Sequence, residues 1–476
     1  MIRILLFAFL TVYIYTLLSI ISVLLLENRN PARSLSWVLV LTFVPILGML
    51  FYVLFGQDLR KKKIISKKSL LRLTNRPVAS FDIDNINTSL ISASQLNLIK
   101  MLYKNSGAAG YAYNKIEVLP TGESTFDAVF NAIRNAEKHI HIEFFIFDDD
   151  KISNQLREIL IQKASEGVRV RMIYDYWGSF DLSKKYLKSL RDAGVYVRSF
   201  LPFRFRFQFS NSRINYRNHR KLVIVDGKIG FTGGLNIADR YIFGNTLGKW
   251  RDTFVCFQGA AVHGLQQLFL VDWYFVDRKL ITDEKYFPLP KIYDENIVQI
   301  VSSGPDSDWE AIMQGISSAI MSANKYIYIQ SPYFMPNEVI ATSIHMAALS
   351  GVEVRLMIPF RSDSKLSDAS TFSFLGDALE AGVRVFRFKN GFLHSKAIVI
   401  DDAVSIVGSC NLDERSFSLN FEANAFIYER KTAIQLKELF LSDIDNCEEV
   451  TLEVWTNRRR RQKLKESMAR LFSPLM

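Results

Sequence analysis

The chain opens with two long apolar runs. Residues 4–26 carry almost no charge and interrupt their aliphatic and aromatic side chains only with hydroxyls, which a helix can satisfy internally. A second run, 35–55, contains Pro45 and Gly48 and ends at Gly56. Both are long enough to cross a bilayer, and the pattern predicts a two-helix transmembrane anchor over 1–60. A cleaved signal peptide fits poorly, because there is one early cation, no small-residue cleavage site and a second span close behind. ENRNPARS between the runs holds two arginines, whereas RKKKIISKK and Arg72 follow the second. The heavier positive cluster stays inside, so both ends of the hairpin and everything after Arg60 are expected at the cytoplasmic face of the cell membrane.

Residues 61–110 are polar and weakly patterned, and read as a basic linker with one helix near 94–103. From Tyr111 the period changes. Helical stretches at 126–137 and 152–164 alternate with the β-rich segments HIHIEFFIF and VRVRMIYD, which indicates an α/β fold. The order then recurs. HIHIEFFIF is echoed by YIYIQSPYF, Gly167-Val-Arg-Val-Arg by Gly351-Val-Glu-Val-Arg, and Ala193-Gly-Val by Ala381-Gly-Val. Two homologous halves, 111–290 and 291–476, each contributing to one site, account for this at unequal loop lengths.

The richest echo is NHRKLVIVDGKIGFTGGLN against LHSKAIVIDDAVSIVGSCN. Each half holds His-x-Lys-x4-Asp: His219, Lys221 and Asp226, then His394, Lys396 and Asp401. Each continues to Gly-Gly-x-Asn236 or Gly-Ser409-x-Asn411. On a strand, residues i and i+2 share a face, so each His and Lys point into the same cleft. These residue types suit attack on a phosphodiester. One neutral imidazole is the nucleophile, a second imidazolium protonates the leaving alkoxide, and the lysines and asparagines stabilise the phosphoryl charge without metal. The repeated pattern supplies no separate metal-ligand cluster. By the logic of a catalytic triad each imidazole needs an orienting acid, for which Asp252 in KWRDTF and Glu422 in LNFEAN are the candidates. The motif aspartates are counted with the catalytic set, although they end their strands at a tight turn, where fixing the local geometry is the alternative role.

Charge and cysteines narrow the setting. A net charge of +11 requires an anionic partner without choosing among nucleic acid, lipid surface and phosphorylated substrate. Three cysteines with no C-x-x-C pair suggest neither a disulfide framework nor a zinc site. The period-two Phe/Arg run SFLPFRFRFQFSNSR offers an aromatic face and a cationic one, either for substrate entry or as an edge strand. NRRRRQKLKESMARLFSPLM puts Leu464, Met468, Leu471 and Phe472 on one side of a helix behind a basic cluster, as an interfacial helix would. Asp148, Asp149 and Asp150 read as a polar turn, and His139, His141, His263 and His345 as structural.

With its paired motifs the chain resembles the phospholipase D superfamily, and over nearly its whole length, from NRNPARSLSWVLVL to NYRNHRK and ERSFSLNFEAN, the bacterial cardiolipin synthases. The resemblance implies two phospholipase D-like α/β halves packed as one catalytic unit and no cofactor. It also implies a phosphohistidine intermediate, with His219 as nucleophile and His394 as acid and then base. The activity it implies is reversible phosphatidyl transfer between two phosphatidylglycerols, giving cardiolipin and glycerol. Hydrolysis to phosphatidic acid and transfer with another headgroup donor use the same intermediate and stay open. A nuclease is opposed by the two spans, and an inert lipid-binding scaffold by the intact His-Lys pairs.

Overall fold

The computed structural model describes residues 2–26, 31–44, 47–48, 51–52, 91–202 and 215–473, in two compact units. The smaller contains helices α1 (Ile2–Leu26) and α2 (Pro31–Phe43), which pack on each other. In α1 the hydroxyls of Thr11, Thr16 and Ser19 donate to carbonyls four residues back at 2.8, 2.7 and 2.8 Å, and Thr42 does so in α2 at 2.7 Å. The expected interruptions are therefore satisfied within the helix, while Ile4, Phe7 and Phe9 stay at least 70% exposed. Judged on its described residues, no helix is long and apolar enough to cross a membrane. Helix α1 is 25 residues long, with Arg3 its single charge. The basic segment 60–68 and the Phe/Arg run beyond Pro202 lie outside the described residues.

The larger unit is built from two related sheets. One has seven strands in the order Lys115–Leu119, Phe254–Gln258, Ile229–Gly233, Leu222–Val225, His139–Phe144, Arg169–Asp175 and Tyr196–Phe200. The other repeats that order with Ile297–Ser303, Asn420–Tyr428, Val404–Gly408, Ala397–Ile400, Tyr326–Gln330, Glu353–Pro359 and Arg384–Phe388, and adds Gly110–Ala112 and Cys447–Val450 at its edges. The segments 139–144 and 169–175 pair in parallel, as do their counterparts 326–330 and 353–359. The echoed glycines have a physical cause. Gly167 and Gly351 follow helices at φ 87° and 89°, the left-handed conformation that stops a helix before the next strand.

Each sheet carries its own apolar core. Ile140, Ile142 and Phe144 anchor the first, and Ile327, Ile329 and Val354 the second. The expected linker ends earlier than its polarity suggests. Helix α3 (Ala93–Ser106) is closed by a Ser92/Gln95 capping box and by Gly107 at φ 72°, and buries Leu98, Ile99 and Leu102 in the second core. Strand Gly110–Ala112 likewise joins the second sheet, through Ile297–Ser303. The acidic triplet starts a helix and lies beyond the end of the strand His139–Phe144: Asp150 caps Lys151–Ser165, and Asp148 pairs with Arg240 at 2.7 Å.

Two short pairings lace the halves together. Arg217–Asn218 runs parallel with Asn420–Phe421, and Trp250–Arg251 with Phe392–Leu393. Each bridge ends one residue before a motif histidine.

Candidate active site

The backbone N–H of His219 donates to the Phe421 carbonyl at 2.9 Å, and that of His394 to the Arg251 carbonyl at 2.7 Å. The residue after each accepting carbonyl is an acid. Glu422 meets His219 Nδ1 at 2.9 and 3.0 Å with its two carboxylate oxygens, and Asp252 Oδ2 meets His394 Nδ1 at 2.6 Å. A carboxylate only accepts, so each imidazole carries its proton on Nδ1 and presents the Nε2 lone pair. Both predicted acids are thus in place, each supplied by the half opposite its histidine.

One difference between the halves follows from the acid. Asp252 lies against Gly234, where a Cβ would come within 2.3 Å of its Oδ1. At the matching position Ser409 donates its hydroxyl to Glu422, whose other oxygen accepts the Asn420 amide at 3.2 Å. Gly and Ser in the repeated motif therefore match the shorter and the longer acid.

Lys221 and Lys396 are almost wholly buried, and each ammonium donates to the carbonyl of its own histidine, at 2.6 Å for Lys221. Both ammoniums lie within electrostatic reach of both imidazoles. Burial, against the pull of Glu422, pushes His219 down to about 4, and burial followed by Lys396 and Lys221 holds His394 well below its ordinary value. Both rings are neutral at pH 7 before substrate binds. Burial lowers Lys396 to about 8 and takes Lys221 well down in the same direction. It raises Asp252 to about 6. Glu422 feels the same desolvation, but His219, Lys221 and the Ser409 hydroxyl outweigh it and keep it below the usual carboxylate value.

Two groups of expected site residues go elsewhere. Asp226, at φ 54°, accepts the backbone N–H groups of Glu137, Lys138 and His139 at 2.8, 2.7 and 2.8 Å. Asp401, also at φ 54°, accepts those of Asn324, Lys325 and Tyr326 at 2.7, 2.9 and 2.8 Å. A four-residue strand, roughly 13 Å of chain, separates each from its lysine, so these aspartates hold the hairpin turn to the neighbouring strand and do not reach the imidazoles. Asn236 is likewise committed to scaffolding, accepting from Ile146 N at 3.2 Å and donating to Tyr241 Oη at 3.1 Å. Asn411 hydrogen-bonds Asp413, with its Oδ1 buried and unsatisfied.

Other contacts had no sequence expectation. Tyr241 Oη lies 3.3 Å from His394 Nδ1, and its only sequence signal is a place five positions past Asn236, where the second copy has Ser416. Arg220, between His219 and Lys221, points away from the cleft. Its guanidinium donates to buried Asp272 at 2.6 Å, and its Nε donates to the Glu422 carbonyl at 3.1 Å. The ring of Phe145 stands edge-on to His219 at 5.0 Å, and that of Trp250 lies 5.0 Å from His394. Three of the four other histidines make contacts away from the site: His139 and His141 share Gln266, and His263 meets the Pro288 carbonyl.

This arrangement has clear relatives. Residues 129–273 and 316–444 match the family model described as cardiolipin synthase, PLD-like domain, and residues 11–57 match a phospholipase D-nuclease N-terminal model. The chain is 39% identical to cardiolipin synthase 2 of Bacillus anthracis over 95% of its length and 89% of the relative's. It is 40% identical to the cardiolipin synthase of Geobacillus kaustophilus over 95% and 91%. In fold it is similar to a phosphatidylserine synthase of Haemophilus influenzae Rd KW20, with a TM-score of 0.60 at 15% identity, covering 79% of this chain and all of that one. The doubled histidine site and these matches together place the chain in the bacterial cardiolipin synthase family of the phospholipase D superfamily.

Proposed function

We propose that the chain joins two phosphatidylglycerol molecules into cardiolipin and releases glycerol. The observation that carries this reading is the pair of carboxylate-oriented imidazoles, each completed from the opposite half, in a chain so similar to cardiolipin synthases. Nε2 of one neutral imidazole attacks the phosphorus of the first lipid and forms a P–N bond while the P–O bond to glycerol breaks. The other imidazole, protonated once the anionic phosphodiester is bound, gives its proton to the departing glycerol oxygen. It then takes the proton from a hydroxyl of the second lipid, whose oxygen displaces the histidine and regenerates the site. Lys221 and Lys396 stabilise the charge on the non-bridging oxygens. Family resemblance assigns the attack to His219, whose orienting acid Glu422 accepts from Ser409 and Asn420.

The same reading puts the N-terminal hairpin in the membrane as a multi-pass anchor, with the catalytic unit at the cytoplasmic face. Helix α1 is roughly 37 Å long at 1.5 Å per residue, enough for a hydrocarbon core of about 30 Å. The C-terminal helix Arg460–Arg470 is a second contact with anionic lipid. It buries Glu466 and Ala469 and leaves Leu464, Met468, Leu471 and Phe472 at least half exposed beside its basic residues.

The test gives purified chain labelled phosphatidylglycerol in detergent or vesicles and resolves the products. Cardiolipin with glycerol supports the reading. Phosphatidic acid with glycerol makes the chain a hydrolase, and no turnover defeats both.

A further inference from the structure

Cardiolipin formation brings two phosphodiesters into one cleft. One is attacked at the histidines, and the other belongs to the acceptor lipid, one glycerol unit from its attacking hydroxyl. Lys221 and Lys396 serve the first. A second cationic pair stands beside His219. Arg217 lies two positions before it, on the strand that pairs with Asn420, with its guanidinium 5.5 Å over the ring of Trp177. Arg415 comes from the other half, on the short helix Glu414–Ser418 that leads into the strand of Glu422.

The two guanidiniums lie within electrostatic reach of each other and share Asp175, and Arg415 also feels Asp413 and Glu422. Those carboxylates are engaged with other donors as well. Asp175 accepts from the backbone N–H groups of Trp177, Gly178 and Asn218 at 3.0, 2.9 and 2.8 Å. Asp413 caps Ser416 N at 2.6 Å, and Glu422 holds His219. Burial lowers both arginines from their ordinary value, so a bound anion would offset a desolvation that the site already bears. Among the described residues the pair has no equal beside His394. Phe392 stands where Arg217 would be, and Arg240, the counterpart of Arg415, pairs with Asp148 and covers Trp250 at 5.0 Å.

We propose that Arg217 and Arg415 form the subsite for the phosphodiester of the acceptor lipid. The inference deepens the transfer reading and rests on it. A planar guanidinium from each half gripping that phosphate would steer the attacking hydroxyl towards the phosphohistidine, and would favour an acidic phospholipid over water or a neutral alcohol as acceptor.

The test uses the full chain in detergent micelles and measures two rates from labelled phosphatidylglycerol. Exchange of free labelled glycerol into the lipid needs no second phosphate, whereas cardiolipin formation does. In Arg217→Gln and Arg415→Gln, exchange should stay within about twofold of wild type. Cardiolipin formation should fall about tenfold or more through a raised KM for the acceptor, the loss of one charge-assisted hydrogen bond, and the Lys variants should recover part of it. A parallel fall in both rates overturns the proposal, because the arginines would then serve the reacting phosphate or the fold. Unchanged rates overturn it too. If wild type exchanges glycerol but makes no cardiolipin, the transfer reading itself has failed, which the variants are not needed to reveal.

Discussion

Glu422 orients His219 across the junction of the two halves, with its carboxylate on Nδ1 while the carbonyl of Phe421 takes the backbone N–H of the same histidine. One dipeptide therefore fixes both the position and the tautomer of that imidazole. Asp252 and the Arg251 carbonyl do the same for His394. Glu422→Gln retains the size of the side chain but removes the charge that favours the Nδ1–H tautomer and the imidazolium. Its kcat for cardiolipin formation should fall about 10³-fold or more, by analogy with the buried acid of a catalytic triad, with Asp252→Asn behaving alike. Activity within about tenfold of wild type would show that backbone bonding alone orients the rings.

Asp226 and Asp401 should behave differently from the residues that share their motif. Each gathers three backbone N–H groups at a residue with positive φ. Asp226→Ala strands those donors and puts a Cβ-bearing residue of poor left-handed propensity at the turn, so unfolding free energy should drop by about 2–5 kcal/mol. Asp226→Asn should lose less. Specific activity per folded molecule should stay close to wild type in both, as measured by thermal melts beside turnover. A large loss of kcat with an unchanged melt would return these aspartates to the catalytic set.

The fate of Asp226 shows what the sequence could and could not convey. His219, Lys221 and their second copies were legible because a repeated i, i+2 pattern on a β-rich segment fixes a shared face, and the two sheets repeat their strand order as the echoed segments suggested. Partner choice was not legible. Nothing local says that Glu422 belongs to His219 rather than to His394, because that depends on how the halves pack. Helix α3 was legible near 94–103, but its place in the second core was not, for a related reason. Its apolar residues Leu98, Ile99 and Leu102 are few in a polar stretch, and only the second sheet supplies their burial. Arg220 reads in the sequence as one more cation, whereas Asp272, far along the chain, turns it into a buried strut behind Glu422.

Alkaline pH should switch the enzyme off earlier than ordinary lysines would allow. Burial brings Lys396 down to about 8, and Lys221 moves in the same direction. The ammonium is the form that stabilises phosphoryl charge, so kcat/KM, which reports the free enzyme, should decline as pH rises through about 8. On the acid side His219 stays neutral down to about 4, so protonation of that ring should not limit the rate near pH 6. Lys396→Arg keeps a charge at every accessible pH and should move the alkaline limb upward even where its geometry lowers the maximum rate. An alkaline limb that stays in place in this variant would assign it to another group.

The C-terminal helix offers a separate test of how the catalytic unit meets lipid. Leu464, Met468 and Leu471 are 63%, 56% and 79% exposed, while the helix is held to the protein by Ala469 and by Glu466, which pairs with Arg458 at 2.6 Å. Replacing the three exposed residues by serine removes little packing and should leave the melting temperature unchanged. If that stripe lies in the interface, turnover of phosphatidylglycerol in vesicles should fall several-fold, about 1 kcal/mol or more of lost apolar contact, while turnover in detergent micelles, where substrate surrounds the protein, stays near wild type. Changing Lys463 and Lys465 to glutamine should instead weaken the dependence on anionic lipid and on salt, as a screened attraction requires. Equal activity of the serine variant in vesicles and micelles would rule out an interfacial role for the stripe, and a change in oligomeric state would identify a second copy of the chain as its partner.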